Sequence, residues 1–124
     1  MGDRANCIVM QNAFNEDHPP VWLYTHWGGY NLPQAVQKAM QRKERWDDPA
    51  YLTRIIFDVM TEGQHGGETG FGISTSMCDN EHDLIVVDPG KKQVRLESPN
   101  DRSVLKQWSF EEFCTADLTV TEDA

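Results

Sequence analysis

Short segments of alternating or continuous apolar residues in the chain predict a β-sheet. Residues 5–11 and 21–27 are apolar runs rich in β-forming side chains, and residues 71–77 alternate large apolar positions with small ones. Proline cannot donate to a strand ladder, so Pro19 and Pro20 are expected to set the start of the second strand.

The second half of the chain carries the clearest strand signals. Residues 84–88 form a continuous apolar run, and a Pro-Gly turn leads from them to residues 93–97, which predicts a hairpin. Residues 104–108 predict one more strand. Directly after it, Ser109 and Glu112 have the spacing of a capping box, which predicts a short helical turn.

Two segments between the strands repeat apolar residues with helical spacing. The first is predicted to span residues 31–44, with Asn31 as its N-cap and Gln34 as the reciprocal capping partner. Its apolar stripe consists of Leu32, Ala35, Val36, Ala39 and Met40.

The second helix is predicted over residues 49–61, with Asp48 as its N-cap and Pro49 at its first position. Arg54 and Asp58 lie four residues apart on its polar face, where we expect an ion pair. Its apolar stripe consists of Leu52, Ile55, Ile56, Val59 and Met60.

Strands before and after two adjacent helices predict an α+β fold. We expect an antiparallel or mixed sheet of about five to six strands with both amphipathic helices on one face. Residues 1–115 are predicted to form a single globular domain. Residues 116–124 carry acids and no lysine or arginine, so we expect this tail to be disordered.

The formal net charge of −9 argues against direct binding to nucleic acid, which requires clustered basic residues on one face. The one basic cluster falls at the end of the first predicted helix, where cations complement the helix dipole. It consists of Lys38, Arg42, Lys43 and Arg45.

Cellular location and redox state follow from simple features of the chain. No segment has the roughly 20 apolar residues of a membrane span, and the beginning of the chain lacks the apolar core of a secretory signal. We therefore expect a cytoplasmic protein without membrane contact. The three cysteines, Cys7, Cys78 and Cys114, have no metal-binding spacing and are expected to be reduced, with Cys7 buried in a strand.

Five motifs stand out along the chain: MGDRAN at the start, YTHWGG in the centre, RWDDPAYLTRIIF, ETGFGIST and DNEHDLIVVD. Together they resemble a family of small, functionally uncharacterised proteins found in bacteriophages and in some bacteria and archaea. The resemblance covers the chain up to about residue 88. It implies a phage accessory protein, present in the cytoplasm of the host cell, and it implies no reaction and no catalytic residues.

A first candidate site lies at the THWGG turn. Backbone N–H groups of Gly28 and Gly29, placed before a helix, could face a small anion such as a nucleotide phosphate, and His26 could add a hydrogen bond. The alternative is that the glycines serve the geometry of the turn. The full set of ligand-binding candidates, which includes two residues of the glycine-rich segment 61–70, is His26, Trp27, Gly28, Gly29, Glu68 and Thr69.

A second candidate is a polar network made of residues that precede predicted strands and helices. Buried polar groups must be paired, so an arginine and carboxylate network is one interpretation, and solvated side chains are the other. The residues are Asp3, Arg4, Asn6, Asp47 and Asp48.

Metal and covalent chemistry have weaker support. The CDNEHD segment, residues 78–83, has metal-ligating residue types without the spacing of a zinc or calcium site. No nucleophile motif is present in the sequence, so catalytic residues stay unassigned and we predict no metal and no cofactor.

Three functions are consistent with these patterns. The first is a small acidic accessory protein that acts by binding a host protein, as a host-takeover or anti-defence factor. The second is a binding protein or enzyme for a small anionic ligand at the THWGG turn. The third is a mimic of DNA, for which the acidic surface is the argument. The sequence leaves the oligomeric state open.

Overall fold

The computed structural model of the chain describes residues 3–12, 18–63, 70–77 and 79–118. These residues form six strands and three helices. The strands are β1 Ala5–Gln11, β2 His18–Thr25, β3 Phe71–Ser74, β4 Leu84–Asp88, β5 Gln93–Glu97 and β6 Val104–Ser109, and the helices are α1 Leu32–Met40, α2 Pro49–Met60 and α3 Phe110–Cys114.

The strands form one mixed sheet in the order β3-β2-β1-β4-β5-β6. Only β1 and β4 run parallel, with Cys7 beside Ile85 and Val9 beside Val87. The other neighbouring pairs are antiparallel. The predicted α+β fold with a mixed sheet is therefore confirmed.

The main core lies between one face of the sheet and the helices. Cys7, Val9 and Ile85 point to this face because alternate strand residues share a side. The apolar stripes of α1 and α2 cover them, and each buried aliphatic side chain contributes about 1.5–3 kcal/mol. The fully buried helix residues include Val36, Met40, Leu52 and Ile56, and α3 adds Phe110 and Phe113.

Local signals predicted two helix starts correctly. The side chain of Asp48 accepts a hydrogen bond from the backbone N–H of Tyr51, and Pro49 is the first residue of α2. At α3, the Ser109 hydroxyl oxygen accepts from the N–H of Glu112 at 3.0 Å, and Glu112 accepts from the N–H of Ser109 at 2.8 Å. The expected pair of Arg54 and Asp58 is also present, at 3.7 Å.

The N-cap position of α1 is Asn31, as predicted, but its predicted capping bonds and the predicted end of the helix were wrong. A short 3₁₀ turn, Gly29–Asn31, precedes the helix, and Asn31 makes no side-chain capping bond. Gln34 donates instead to the backbone oxygen of Leu118 at 3.2 Å. The helix ends at Met40 rather than at residue 44, and Lys43 with a φ of 54° then turns the chain out of helical geometry.

Both ends of β2 and the end of β3 also differ from the prediction. β2 begins at His18 and contains both prolines, and it ends at Thr25 because the Thr25 hydroxyl accepts from the N–H of Gly28 and closes a turn. β3 ends at Ser74, whose hydroxyl accepts from the N–H of Ser76 at 3.2 Å.

The predictions about the cysteines, the C-terminal tail and membrane spans can be compared with the structure only at the residues that it describes. Cys7 is buried in β1 with a free thiol, as predicted, and Cys114 is also buried and free. Cys78 and residues 119–124 lie outside the described residues. In the described part of the chain, no helix has the length and apolar character needed to cross a membrane.

Candidate functional site

A cleft of about 570 Å³ opens on the helix-covered side of the sheet, beside the starts of β1 and β4. Its floor is apolar and comes from Ala5, Ile85, Leu96 and Trp108, one residue from each of four strands. Leu32 at the start of α1 closes one side. Ala5, Leu32 and Ile85 are nearly fully buried, so the open part of this surface comes from the partly buried Leu96 and Trp108.

β6 forms the outer wall of the cleft through Leu105, Lys106 and Trp108. The register between β5 and β6 shifts at this point, since Leu96 pairs with Lys106 and Glu97 pairs with Val104. Leu105 is therefore the extra residue of a β-bulge, and a bulge changes the direction of neighbouring side chains.

The rim of the cleft is mostly acidic. Glu81 and Asp83 come from the segment before β4, and Asp117 comes from the segment after α3. Lys106 is the cation among the lining residues, and His82 lies between the two carboxylates of its segment. A ligand in this cleft would meet an apolar floor and a rim dominated by hydrogen-bond acceptors.

Asp3 is held in place by its backbone and its side chain together. Its N–H donates to the oxygen of His26 at 2.7 Å, and its backbone oxygen accepts from the N–H of Gly29 at 2.8 Å. One carboxylate oxygen accepts from the N–H of Tyr30 at 2.7 Å, and the other is bonded to Nε2 of His82. Burial raises the pKa of Asp3, but the bonds from His82 and Tyr30 more than offset it, so the net pKa lies below 3.8.

The same contact fixes the His82 ring beside the cleft. Nε2 is the ring nitrogen that bonds to Asp3, so Nδ1 is the nitrogen left for a further partner. Within the described residues, Nδ1 has no hydrogen-bond partner. The ring also packs against Gly29, where a Cβ would lie 2.7 Å from its Cδ2 atom. A glycine is needed here for this close approach.

The predicted anion cradle at the THWGG turn has its donors satisfied within the chain. The N–H of Gly28 donates to the Thr25 hydroxyl at 3.0 Å, and the N–H groups of Gly29 and Tyr30 both donate to Asp3. The Asp3 carboxylate thus lies where an external anion was expected. Of the candidate residues, Gly29 lines the cleft.

The other candidate residues of the turn lie apart from the cleft lining. Nδ1 of His26 is 3.0 Å from the hydroxyl of Tyr24. Trp27 is 61% exposed, and its ring packs over Gly70. Glu68 and Thr69 lie outside the described residues, so their role at this site stays a prediction.

The predicted polar network separates into two parts. Arg4 and Asn6 join the start of β1 to the segment before β4: Arg4 pairs with Asp79 at 2.9 Å, and Asn6 donates to the side-chain oxygen of Asn80 at 3.1 Å. Glu81 also belongs to this part, because the backbone N–H and the guanidinium of Arg4 both donate to it and lower its pKa.

Asp47 and Asp48 belong elsewhere. Asp47 pairs with Lys92 at 2.6 Å, and Asp48 caps α2. Asp3, Arg4 and Asn6 are therefore brought together near the cleft, while the two later aspartates are not. In the described residues no group of three or more His, Cys, Asp or Glu side chains is arranged to hold a metal ion.

A buried ionic network on β4 and β5 was not anticipated from the sequence. Arg95 donates to Asp88 at 2.7 Å and to Glu97 at 3.0 Å, and Arg102 donates to Glu97 at 2.6 Å. The signal available in the sequence was an arginine in the middle of a short strand opposite the apolar β4 run. None of the residues in this network lines the cleft.

Comparison with known proteins finds no family model, no curated protein and no solved structure that matches this chain. The fold and the site define a small α+β protein with a cleft at one end of a mixed sheet that the described residues leave open. Its functional assignment rests on the chemistry of that cleft.

Proposed function

We propose that this chain is a binding protein that attaches to a partner protein through the cleft beside β6. If the chain is encoded by a phage, as its motifs suggest, the partner is a host protein and the setting is the host cytoplasm. The observation that carries the proposal is a cleft at the sheet edge whose apolar lining includes the partly buried Leu96 and Trp108 and the half-exposed Leu105, because exposed apolar surface of this kind marks interaction sites.

The edge strand adds apolar surface at the sheet edge. Leu105 lines the cleft and is 50% exposed, and Val104, which is 51% exposed, lies beside it on β6 outside the lining. Charges and bulges usually protect edge strands, and β6 has both in Lys106 and the bulge at Leu105. The two half-exposed aliphatic side chains support the use of this edge as a contact surface.

Site-specific photo-crosslinking tests the proposal. A benzophenone amino acid replaces Leu105 in one variant and Ile73 in the control variant, since Ile73 is 64% exposed on β3 at the opposite edge of the sheet. Irradiation in host lysate should give a discrete adduct from the Leu105 variant alone. The same adducts from both variants, or none from the Leu105 variant, would contradict the proposal.

A small-ligand site is the second candidate function, and the fixed Asp3–His82 pair at the cleft favours it. A cleft of about 570 Å³ falls within the usual size range of small-molecule sites. The acidic rim favours a ligand with cationic or hydrogen-bond donor groups over the anionic ligand suggested by the turn sequence. Native mass spectrometry of gently purified protein tests this function, because a retained ligand adds mass that disappears on denaturation.

DNA mimicry stays a prediction. It requires carboxylates in rows on one surface and a partner that handles DNA. Complex formation with such a partner should weaken steeply with salt, because long-range attraction is screened within about 10 Å at an ionic strength of 0.1 M. A complex whose affinity is unchanged by salt would exclude this function.

A further inference from the structure

We infer that the cleft receives a lysine or arginine side chain, presented by an extended segment of the partner that pairs with the outer edge of β6. The inference rests on the proposed binding function and specifies the chemistry of the partner. It follows from two features: the charge around the cleft and the position of β6.

Charge around the cleft favours a cation. The lining contains three carboxylates, Glu81, Asp83 and Asp117, and one lysine, Lys106. Arg4 pairs with Glu81, whereas Asp83 has no ion-pair partner in the described part of the chain.

Carboxylate oxygens of the rim are hydrogen-bond acceptors, and the His82 ring beside them is bonded through Nε2 to Asp3. Ammonium and guanidinium groups have only donors. A basic side chain therefore matches the acceptor atoms of the rim, while its aliphatic stem matches the apolar floor.

β6 provides the direction from which such a side chain can enter. Among the described strands, β6 has a neighbour on one side only, which is β5. Its other edge can therefore accept an added strand, and main-chain pairing of this kind is a common mode of peptide recognition. Because Leu105, Lys106 and Trp108 also line the cleft, a segment paired with β6 would lie beside the cleft opening.

Peptide titrations followed by NMR test the inference on the full chain. The probes are blocked peptides of the form acetyl-Val-Thr-Xaa-Thr-Val-amide, in which Xaa is arginine, lysine or citrulline. The arginine and lysine peptides should shift the amide signals of residues 81–83 and 104–108. Citrulline has the shape of arginine without its charge, so the affinity of its peptide should be at least about fivefold lower than that of the arginine peptide. Equal binding of all three peptides, or shifts confined to other residues, would overturn the inference.

A pair of charge-reversal variants tests the role of the rim. Asp83→Lys should weaken binding of the arginine peptide about tenfold, because attraction becomes repulsion at the cleft. Asp58→Lys makes the same change in net charge on α2, away from the lining residues, and should change the affinity less than about twofold. Equal effects of the two variants would show that only overall charge matters and would overturn the proposed site.

Two further outcomes separate this inference from the proposed function. N-methylguanidine alone should bind much more weakly than the arginine peptide. If it binds as tightly as the peptide and shifts no signal in β6, the cleft is a site for a free cation and the basic-segment inference is overturned. A partner crosslinked through Leu105 whose complex is unaffected by Asp83→Lys would retain the proposed binding function and overturn the basic-segment inference.

Discussion

Replacing Arg95 by methionine should strongly destabilise the protein. The guanidinium lies between Asp88 and Glu97, and the three side chains are 12%, 3% and 6% exposed, respectively. Methionine keeps most of the aliphatic volume of the arginine stem, so the substitution mainly removes the charge and the donors. Two buried carboxylates would then lose their shared partner.

The size of the loss in the free energy of unfolding depends on the hydrogen-bond donors that each carboxylate keeps after Arg95 is removed. Breaking a buried ion pair by removing one partner costs about 3–5 kcal/mol. Glu97 keeps Arg102 at 2.6 Å, and Asp88 keeps the side-chain N–H of Asn12 at 2.9 Å and the backbone N–H of Lys91 at 3.1 Å. These remaining donors place the expected loss near the lower end, at about 3 kcal/mol in the free energy of unfolding.

The loss should depend on pH in a direction fixed by Asp88. Burial raises the pKa of Asp88, but hydrogen bonds from Arg95, Asn12 and Lys91 more than offset it, so the net pKa is below 3.8. In the native protein this group therefore contributes stability above pH 3.8 that is lost as the pH falls through the lowered folded pKa. Without Arg95, burial dominates and raises the pKa, so the variant should lose stability as the pH rises.

Urea unfolding at about pH 7 and about pH 5 measures both effects. The difference in the free energy of unfolding between the native protein and Arg95→Met should be smaller at the lower pH. Arg54→Met is the control, because Arg54 is 76% exposed and should change stability by less than about 0.5 kcal/mol. A loss below about 1 kcal/mol for Arg95→Met, or one that is the same at both pH values, would refute the reasoning because the carboxylates would then be hydrated.

Three smaller perturbations test other parts of the structure. Gly29→Ala should lower the free energy of unfolding in urea by about 1–3 kcal/mol, because the added Cβ would lie 2.6 Å from the backbone oxygen of Asp3. Gly72→Ala is the control and should have a much smaller effect, because the nearest atom to its Cβ is 3.9 Å away. Ser109→Ala should cost about 1 kcal/mol through loss of the capping box at α3, and a loss near zero in thermal unfolding would contradict its role. Burial raises the pKa of the Cys7 thiol to about 12, so mass mapping after treatment with iodoacetamide near neutral pH should find Cys7 unmodified in the native protein and modified after unfolding.

Elements specified by local chemistry were predictable from the sequence. The hairpin of β4 and β5 joins two β-forming runs through a Pro-Gly turn, and both strands have the predicted bounds. The start of α2 depends on Asp48 and Pro49 alone. Such signals require only a few neighbouring residues, so they do not depend on how the sheet is assembled.

The prolines of β2 show where local reasoning fails. β3 pairs with β2 only from Trp22 to Thr25, so Pro19 and Pro20 lie beyond the reach of β3. That part of β2 has β1 as its one described neighbour, and the register between them shifts between Val9 and Gln11. Proline is tolerated at such an edge beside an irregular register, but the length of β3 was not visible in the sequence of β2.

The cleft could not be predicted for a related reason. Asp3 and His82 are 79 residues apart, and they meet because β1 and β4 lie side by side in parallel. The sequence showed an acidic residue near the start and a histidine in a polar loop, without any sign that the two segments are neighbours. Leu96, Leu105 and Trp108 also become a single surface only through the pairing of β5 with β6.

The Asp3 carboxylate changes the chemical meaning of the glycine turn. Free N–H groups after Gly28 would attract an anion, but those of Gly29 and Tyr30 donate to Asp3. Asp3 in turn bonds to Nε2 of His82. The donors of the turn are thus used within the chain. Together with the carboxylates of the rim, this arrangement favours a partner that brings hydrogen-bond donors and positive charge, although the turn sequence taken alone suggests the opposite preference.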